Sequence, residues 1–95
     1  MLKVGVFKLP NLFRVSGYNV FFWSHESNEP IHVHISKGKS GENSTKIWLT
    51  KSGGCIVANN MGRISDKDLK ELMDIISAQY FVILSKKVLL SPFLI

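Results

Sequence analysis

The change of hydrophobic periodicity at about residue 65 constrains the fold of this chain more than any other feature. Ser65 is a favourable helix N-cap, and Asp68 three residues later completes a pattern similar to a capping box. Asp66 also suits the positive end of the helix dipole. The pattern predicts one core-facing helix over about residues 66–86. Its apolar stripe recurs at intervals of three and four residues: Leu69, Leu72, Met73, Ile76, Tyr80 and Ile83.

Upstream of the helix the apolar residues alternate, which is typical of β-strands. Pro10 and Asn11 are expected to end the first run. The run YNVFFWS carries bulky side chains on both faces, so we expect a central strand that is covered on both sides. The first run, at residues 2–9, resumes at 12–15, and further strands are predicted at 18–24, 31–36, 45–50 and 55–58.

These two patterns together predict an α+β protein. A small antiparallel β-sheet of four to five strands, over about residues 2–58, is followed by one long C-terminal helix that packs on one face of the sheet. The 95 residues suit a single domain over 1–95, with an apolar tail at 88–95.

Composition narrows the class of protein and its compartment. With 45% hydrophobic and 20% charged residues, the chain is globular in character and not a disordered tail. The single cysteine, Cys55, cannot form an internal disulfide or a thiolate metal cluster. The N-terminus has no signal-peptide pattern, and no window approaches the roughly 20 apolar residues that span a bilayer. We therefore expect a cytoplasmic protein with no membrane partner.

The net charge of +5 bears on the partners of the protein. A basic chain of this size attracts nucleic acid or an acidic protein by non-specific electrostatics. The lysines are spread along the sequence, with one adjacent pair at Lys86-Lys87. Charge alone therefore does not choose between the two kinds of partner.

All three histidines of the chain lie in the run WSHESNEPIHVHI. His32 and His34 are two residues apart on a predicted strand, so both side chains leave the same face of the sheet. His25 joins them if Trp23 pairs opposite His34, and points away if Phe22 does. Because Ile31, Val33 and Ile35 leave the other face, the histidine face is not expected to be the deepest core. The run KGKSGENS that follows is expected to be an exposed loop.

Three hypotheses compete for the histidine hairpin. In the first, His25, His32 and His34 bind a transition metal such as zinc, with Glu26 or Glu29 completing the site. In the second, a histidine is the general acid or base of a catalytic site, for example in RNA cleavage. In the third, the histidines are sheet-surface residues without chemistry. The catalytic hypothesis names His32, His34, His25, Arg14 and Tyr18, of which the last two would stabilise a phosphate.

The order of features resembles a family of small bacterial proteins known as domain of unknown function number 4160. The resemblance rests on P-x-x-F-R at Pro10, Phe13 and Arg14, the aromatic strand, P-I-H-V-H-I at residues 30–35, and S-x-x-D-L-x-E-L-x-x-I-I at 65–76. It implies one half of a toxin–antitoxin pair, a cytoplasmic protein that binds a small antitoxin-like partner and has a nucleic-acid target. Together with the histidine hairpin and the basic charge, it leads us to expect the toxin-side component, acting on RNA through the hairpin.

A second class of function is a non-enzymatic interaction module. Such a protein would form a homodimer or a complex with a small partner, through the edge of the sheet or through the apolar tail. The sequence leaves these two classes open.

Overall fold

The computed structural model describes residues 8–23, 30–38 and 43–90. Five strands form one antiparallel sheet in which sequence neighbours pair, in the order β1-β2-β3-β4-β5. Two helices follow the sheet, so the predicted α+β class and the predicted strand number are confirmed. The elements are β1 (Lys8–Val15), β2 (Tyr18–Trp23), β3 (His32–Lys37), β4 (Thr45–Leu49), β5 (Cys55–Asn60), α1 (Asp66–Ala78) and α2 (Tyr80–Leu90).

The prediction that the first strand ends at Pro10 and Asn11 is wrong, because β1 runs through both residues. β1 lies at the edge of the sheet, and its pairing with β2 is irregular between Lys8 and Asn11 and again between Asn11 and Phe13. An edge strand with a bulge tolerates proline, since the missing N–H removes no regular ladder bond. The predicted strand segment 2–7 lies outside the described residues.

The pairing of β2 with β3 divides the sheet into two faces. Val20 lies opposite Ile35, and Phe21 lies opposite His34. Residues directly opposite one another share a face, so the aliphatic positions of β3 join those of β2 beneath the helices. Both faces of β2 are buried, as expected for a covered strand. The core on the helix side contains Tyr18, Val20, Phe22, Val33, Ile35, Ile47, Leu49, Ile64, Leu72, Ile76 and Ile83.

The prediction of one long helix is wrong, because two shorter helices replace it. The N-terminus is as expected: the Asp68 backbone N–H donates to Ser65 Oγ at 3.2 Å. The break lies at Gln79, whose backbone (φ −101°, ψ 15°) leaves the helical conformation. A straight helix over 66–86 would extend about 32 Å, whereas strands of five to eight residues span only about 17–27 Å. The two shorter helices, of 13 and 11 residues, each stay within that span.

Both helices bury side chains of the predicted stripe against the sheet. Ile76 of α1 and Ile83 of α2 are both in the core, and the ammonium group of Lys87 lies 5.1 Å from the ring centroid of Phe22. In the part of the chain that the structure describes, no helix combines the length and the apolar character needed to cross a membrane. Within the predicted tail, α2 continues to Leu90, and residues 91–95 lie outside the described residues.

A buried phenol joins the sheet to the first turn of α1. The hydroxyl of Tyr18 donates to the carboxylate of Asp68 at 2.8 Å, across 50 residues of sequence. This bond holds the phenolic proton in place, so the Asp68 carboxylate, together with burial, raises the pKa of Tyr18 above its ordinary value of 10.0. The contact fixes the N-terminus of α1 over β2.

We expect Tyr18→Phe to lower the free energy of unfolding by about 1 kcal/mol at neutral pH, because the bond to Asp68 is lost. Since the raised pKa stabilises the protonated folded state, this contribution is complete below pH 10 and falls as pH rises above it. Urea unfolding of both proteins at neutral and strongly alkaline pH measures the difference.

Tyr80→Phe is the matched control, because among the described residues its hydroxyl makes no side-chain hydrogen bond. We expect it to change the unfolding free energy by less than about 0.5 kcal/mol at either pH. An equal loss of stability in both variants, or a Tyr18→Phe effect that does not decrease at alkaline pH, would contradict the assignment.

Candidate functional site: the histidine face and the β5 edge

His32 and His34 lie side by side on the face of the sheet that points away from the helices. Their ring centroids are 5.0 Å apart in an edge-to-face arrangement. Phe21 of β2 stacks on His34 with centroids 5.7 Å apart. The prediction that these two histidines share a face is confirmed, because both alternate with the core residues Val33 and Ile35.

Hydrogen bonds fix the orientation of both imidazoles. His32 Nδ1 lies 2.9 Å from the carbonyl oxygen of Pro30. A carbonyl only accepts, so Nδ1 is the donor, and neutral His32 carries its lone pair on Nε2. His34 Nδ1 lies 3.2 Å from Ser44 Oγ, a hydroxyl that is able to donate or accept. The two rings are therefore held by residues at opposite ends of β3, Pro30 before the strand and Ser44 immediately before β4.

Both histidines are more buried than the sequence predicts. His32 is 2% exposed and His34 is 8% exposed, so the expectation of a shallow histidine face is wrong. The aromatic rings beside them account for part of this burial. Ser44 is also buried, although it lies in the run that we expected to be an exposed loop. Its hydroxyl faces His34, and the Gly- and Ser-rich sequence around it gave no sign of this role.

Two residues of β4 complete the histidine face. Trp48 lies opposite His32, and Lys46 lies opposite His34. The Trp48 ring meets His32 edge-to-face at 5.2 Å, and the Lys46 ammonium lies 4.3 Å from the Trp48 ring centroid. The predicted site did not include these two side chains, because only the β3–β4 register brings them to the histidines.

The remaining predicted site residues lie apart from this pair. Tyr18 faces the helices and bonds to Asp68, so the structure does not bring it to the histidines. Arg14 is exposed on the edge strand β1, two strands away from β3. His25 lies outside the described residues, as do Glu26 and Glu29. The residue opposite His34 is Phe21, and neither Trp23 nor Phe22 takes that place.

The metal hypothesis depends on residues that the structure does not describe. Within residues 8–23, 30–38 and 43–90, no group of three or more His, Cys, Asp or Glu side chains is arranged to hold a metal ion. His32 and His34 alone supply two nitrogen ligands. A site with His25 as the third ligand therefore stays a prediction.

The last strand of the sheet exposes apolar side chains along an unpaired edge. β5 pairs with β4 on one side, and no other described strand pairs with its outer side. Ile56 is 55% exposed and Val57 is 37% exposed, although they point to opposite faces of the sheet. Ala58 and Met61 are also exposed. Such an edge offers backbone N–H and C=O groups to another strand.

The inner side of β5 is held firmly by the side chain of Asn60. Its amide oxygen accepts from Thr45 Oγ1 at 2.7 Å and from the Ile64 N–H at 3.0 Å, while its amide nitrogen donates to the Ile64 carbonyl at 2.8 Å. Gly62 passes close to Thr45, where a Cβ atom would lie 2.7 Å from the hydroxyl oxygen. The unpaired outer edge therefore belongs to a strand whose inner side is held in place by these contacts.

The fold and its two surfaces define a small α+β protein with an antiparallel meander, helices on one face and an imidazole-aromatic cluster on the other. The sequence model described as "Domain of unknown function (DUF4160)" matches residues 17–86, from the turn before β2 into α2. The chain belongs to this family, which confirms the family that the motifs indicated, although Pro10, Phe13 and Arg14 lie outside the matched residues. No curated protein and no solved structure matches the chain significantly. The function of the family is not established by this match.

Proposed function

We propose that this protein is a non-enzymatic partner-binding module that accepts a β-strand of a small acidic protein along the edge of β5. The observation that carries the proposal is the uncharged, apolar and exposed edge of that strand. Strand addition draws its affinity from main-chain hydrogen bonds and its specificity from alternate side chains. In this complex the present chain is the basic component.

The two edge strands of the sheet differ in the features that prevent pairing with a further strand. β1 contains Pro10, the exposed Arg14 and two irregularities of register, all of which discourage a further strand. β5 has no proline and no charged residue, and its pairing with β4 is irregular only between Lys46 and Ile47. The segment Cys55, Ile56 and Val57 is regular. The β5 edge is therefore the one that suits a partner strand.

The charges around β5 favour an acidic partner over a second copy of this chain. Residues 46–63 contain Lys46, Lys51 and Arg63 but no acidic residue. In an antiparallel pair of two β5 strands, Lys51 of one copy would approach Arg63 of the other, and like charges repel. A strand flanked by carboxylates would instead meet a cation at both ends. Because these cations are exposed, they contribute more to association rate and specificity than to affinity.

The test is a titration of the full chain with a short capped peptide of alternating threonine and valine, flanked by glutamates or by lysines. We expect amide chemical-shift changes centred on β5, and binding of the glutamate peptide that is about tenfold tighter than that of the lysine peptide. Salt should reduce this preference by screening.

Ile56→Asp should lower the affinity for the glutamate peptide about tenfold or more, because it places a negative charge on the edge that repels the glutamates of the peptide. Phe81→Asp is the matched control: Phe81 is 78% exposed but lies on α2, so binding should stay within about twofold. Shift changes away from β5, or equal binding of both peptides, would contradict the acidic-strand proposal. A homodimer in light scattering that Ile56→Asp dissociates would replace the acidic partner by a second copy.

A second candidate function is the toxin-side component of a toxin–antitoxin pair that acts on RNA. The favouring observation is the grouping of His32 and His34 with Lys46 and Trp48 on one face. Imidazoles exchange protons near neutral pH, a lysine binds phosphate and a tryptophan stacks on bases. The low exposure of both imidazoles weighs against direct contact with a substrate, so this function stands second.

If the second function holds, expression of the protein should arrest the growth of bacterial cells. His32→Gln combined with His34→Gln should relieve the arrest, because an amide hydrogen-bonds but does not exchange protons as an imidazole does. A circular dichroism melt confirms that the variant is folded, and Lys67→Gln on the exposed face of α1 is the control. Full arrest by the folded double variant, or no arrest by the unaltered protein, would exclude the catalytic hypothesis.

A further inference from the structure

The two helices differ on the side that points away from the sheet. Ile76 of α1 and Ile83 of α2 lie in the core, so the opposite side of each helix faces solvent. The exposed residues of α1 on that side are charged, as is usual for a surface helix: Lys67, Lys70, Glu71 and Asp74. On α2, by contrast, Phe81 is 78% exposed and Val82 is 48% exposed. Of the two helices, as far as the structure describes them, α2 alone exposes large apolar side chains.

Four exposed residues form this outward side of α2, which we call the α2 surface: Phe81, Val82, Ser85 and Lys86. They are neighbours on the helix, because spacings of three and four residues connect them. The ring of Phe81 meets the ring of Tyr80 edge-to-face, with centroids 5.3 Å apart, and is otherwise mostly open to solvent. Aromatic side chains are enriched in the buried centres of protein interfaces, where a polar rim surrounds them. The α2 surface therefore has the composition of an interface.

The charges beside the α2 surface indicate its partner. Lys86 is its one charged residue, whereas Glu71 and Asp74 are exposed on the outward side of α1. Among the described residues, neither Lys86 nor Asp74 forms a salt bridge within the chain. When two copies meet with their α2 helices antiparallel, the residues after Phe81 in one copy lie beside the residues before Phe81 in the other. Lys86 of each copy then approaches Asp74 of the other, and two-fold symmetry makes this contact twice.

A parallel arrangement and an anionic membrane both fit these charges less well. In a parallel pair, Lys86 would lie beside Lys86, and like charges repel. The outward side of α1 adds two lysines and two acidic residues, whose interactions with an anionic membrane oppose one another, and the acidic residues lie nearer to α2. A second copy in the antiparallel arrangement is therefore the partner that is complementary to Lys86 and to Asp74 together.

We propose that the α2 surface is a homodimer interface, in which it pairs antiparallel with the same surface of a second copy. Phe81 of each copy packs against Val82 of the other, and Lys86 pairs with Asp74 at both ends. Because each copy buries only two large apolar side chains, we expect a weak dimer with a dissociation constant of about 10–100 µM.

This dimer is independent of the proposed strand addition. The α2 surface points away from the sheet, whereas a partner strand adds in the plane of the sheet at β5. Pairing through α2 therefore leaves the β5 edge of both copies unpaired, so that one dimer presents two of these edges.

Sedimentation equilibrium of the full chain over concentrations from about 1 µM to about 1 mM tests the proposal. We expect the weight-average mass to rise from that of one chain to that of two chains. Over the same range, the amide signals of residues 74–86 should shift with concentration, while those of β3 should not. A mass of one chain at every concentration would overturn the proposal.

Phe81→Asp should raise the dissociation constant at least about tenfold, because a carboxylate replaces the apolar ring at the centre of the interface. Since this side chain is 78% exposed in the single chain, the fold should tolerate the change. Ile56→Asp is the matched control: Ile56 is 55% exposed but lies on β5, so the dissociation constant should stay the same. Dissociation by Ile56→Asp alone would assign the contact to the β5 edge and refute the α2 interface.

An exchange of charges tests the antiparallel arrangement. Asp74→Lys and Lys86→Glu should each raise the dissociation constant by about threefold to tenfold, because each brings like charges together at both ends of the interface. The two substitutions combined should restore the original value to within about twofold, since the pair forms again with its signs exchanged. A double variant that is weaker than either single variant would exclude this arrangement.

Vesicles that contain phosphatidylserine supply the last comparison. We expect no binding of the full chain to them that depends on Phe81. Vesicle binding that Phe81→Asp abolishes, by a protein that is monomeric at every concentration, would replace the second copy by a membrane surface.

Discussion

The register between β2 and β3 is the constraint on which the rest of this structure depends. With Phe21 opposite His34, the aliphatic residues Val33 and Ile35 face the helices and the imidazoles face away. A slip of one residue would exchange these sets. Each exposed aliphatic side chain would then lose about 1.5–3 kcal/mol of burial, and each buried polar ring without a partner would cost about 1–3 kcal/mol. The side chains therefore specify the pairing strongly.

The same register explains how one short chain presents two separate surfaces. One face of the sheet is occupied by α1 and α2, and the other carries the histidine face with Trp48 and Lys46. The meander order leaves β1 and β5 as the two edges. At β1 a proline and two irregularities of register discourage further pairing, whereas β5 ends the sheet with exposed apolar residues. The strand-addition proposal thus follows from strand order and not from a catalytic motif.

Much of the fold could be predicted from local patterns. The Ser65 cap, the apolar stripe of the helix and the shared face of His32 and His34 depend only on neighbours in the sequence. The break at Gln79 has no glycine or proline to mark it, so local patterns do not predict it. Pro10 is typical of a strand end, and the sequence does not show that β1 is an edge strand, where proline is tolerated. Both errors concern tertiary context that local patterns do not contain.

In the candidate site, too, local patterns predict some features, whereas others depend on tertiary contacts. Ser44, Lys46 and Trp48 reach the histidines across strands, so spacing along the chain could not identify them. The exposure of β5 depends on strand order, which the sequence left open.

The central claim is that the outer edge of β5 is free to accept a partner strand. Residue-resolved hydrogen exchange of the isolated protein tests it most directly. In the regular segment of residues 55–57, the amides that point away from β4 should exchange as fast as unprotected amides at every protein concentration, while those of β3 stay protected. Protection of all β5 amides equal to that of β3 would show that the edge is already covered.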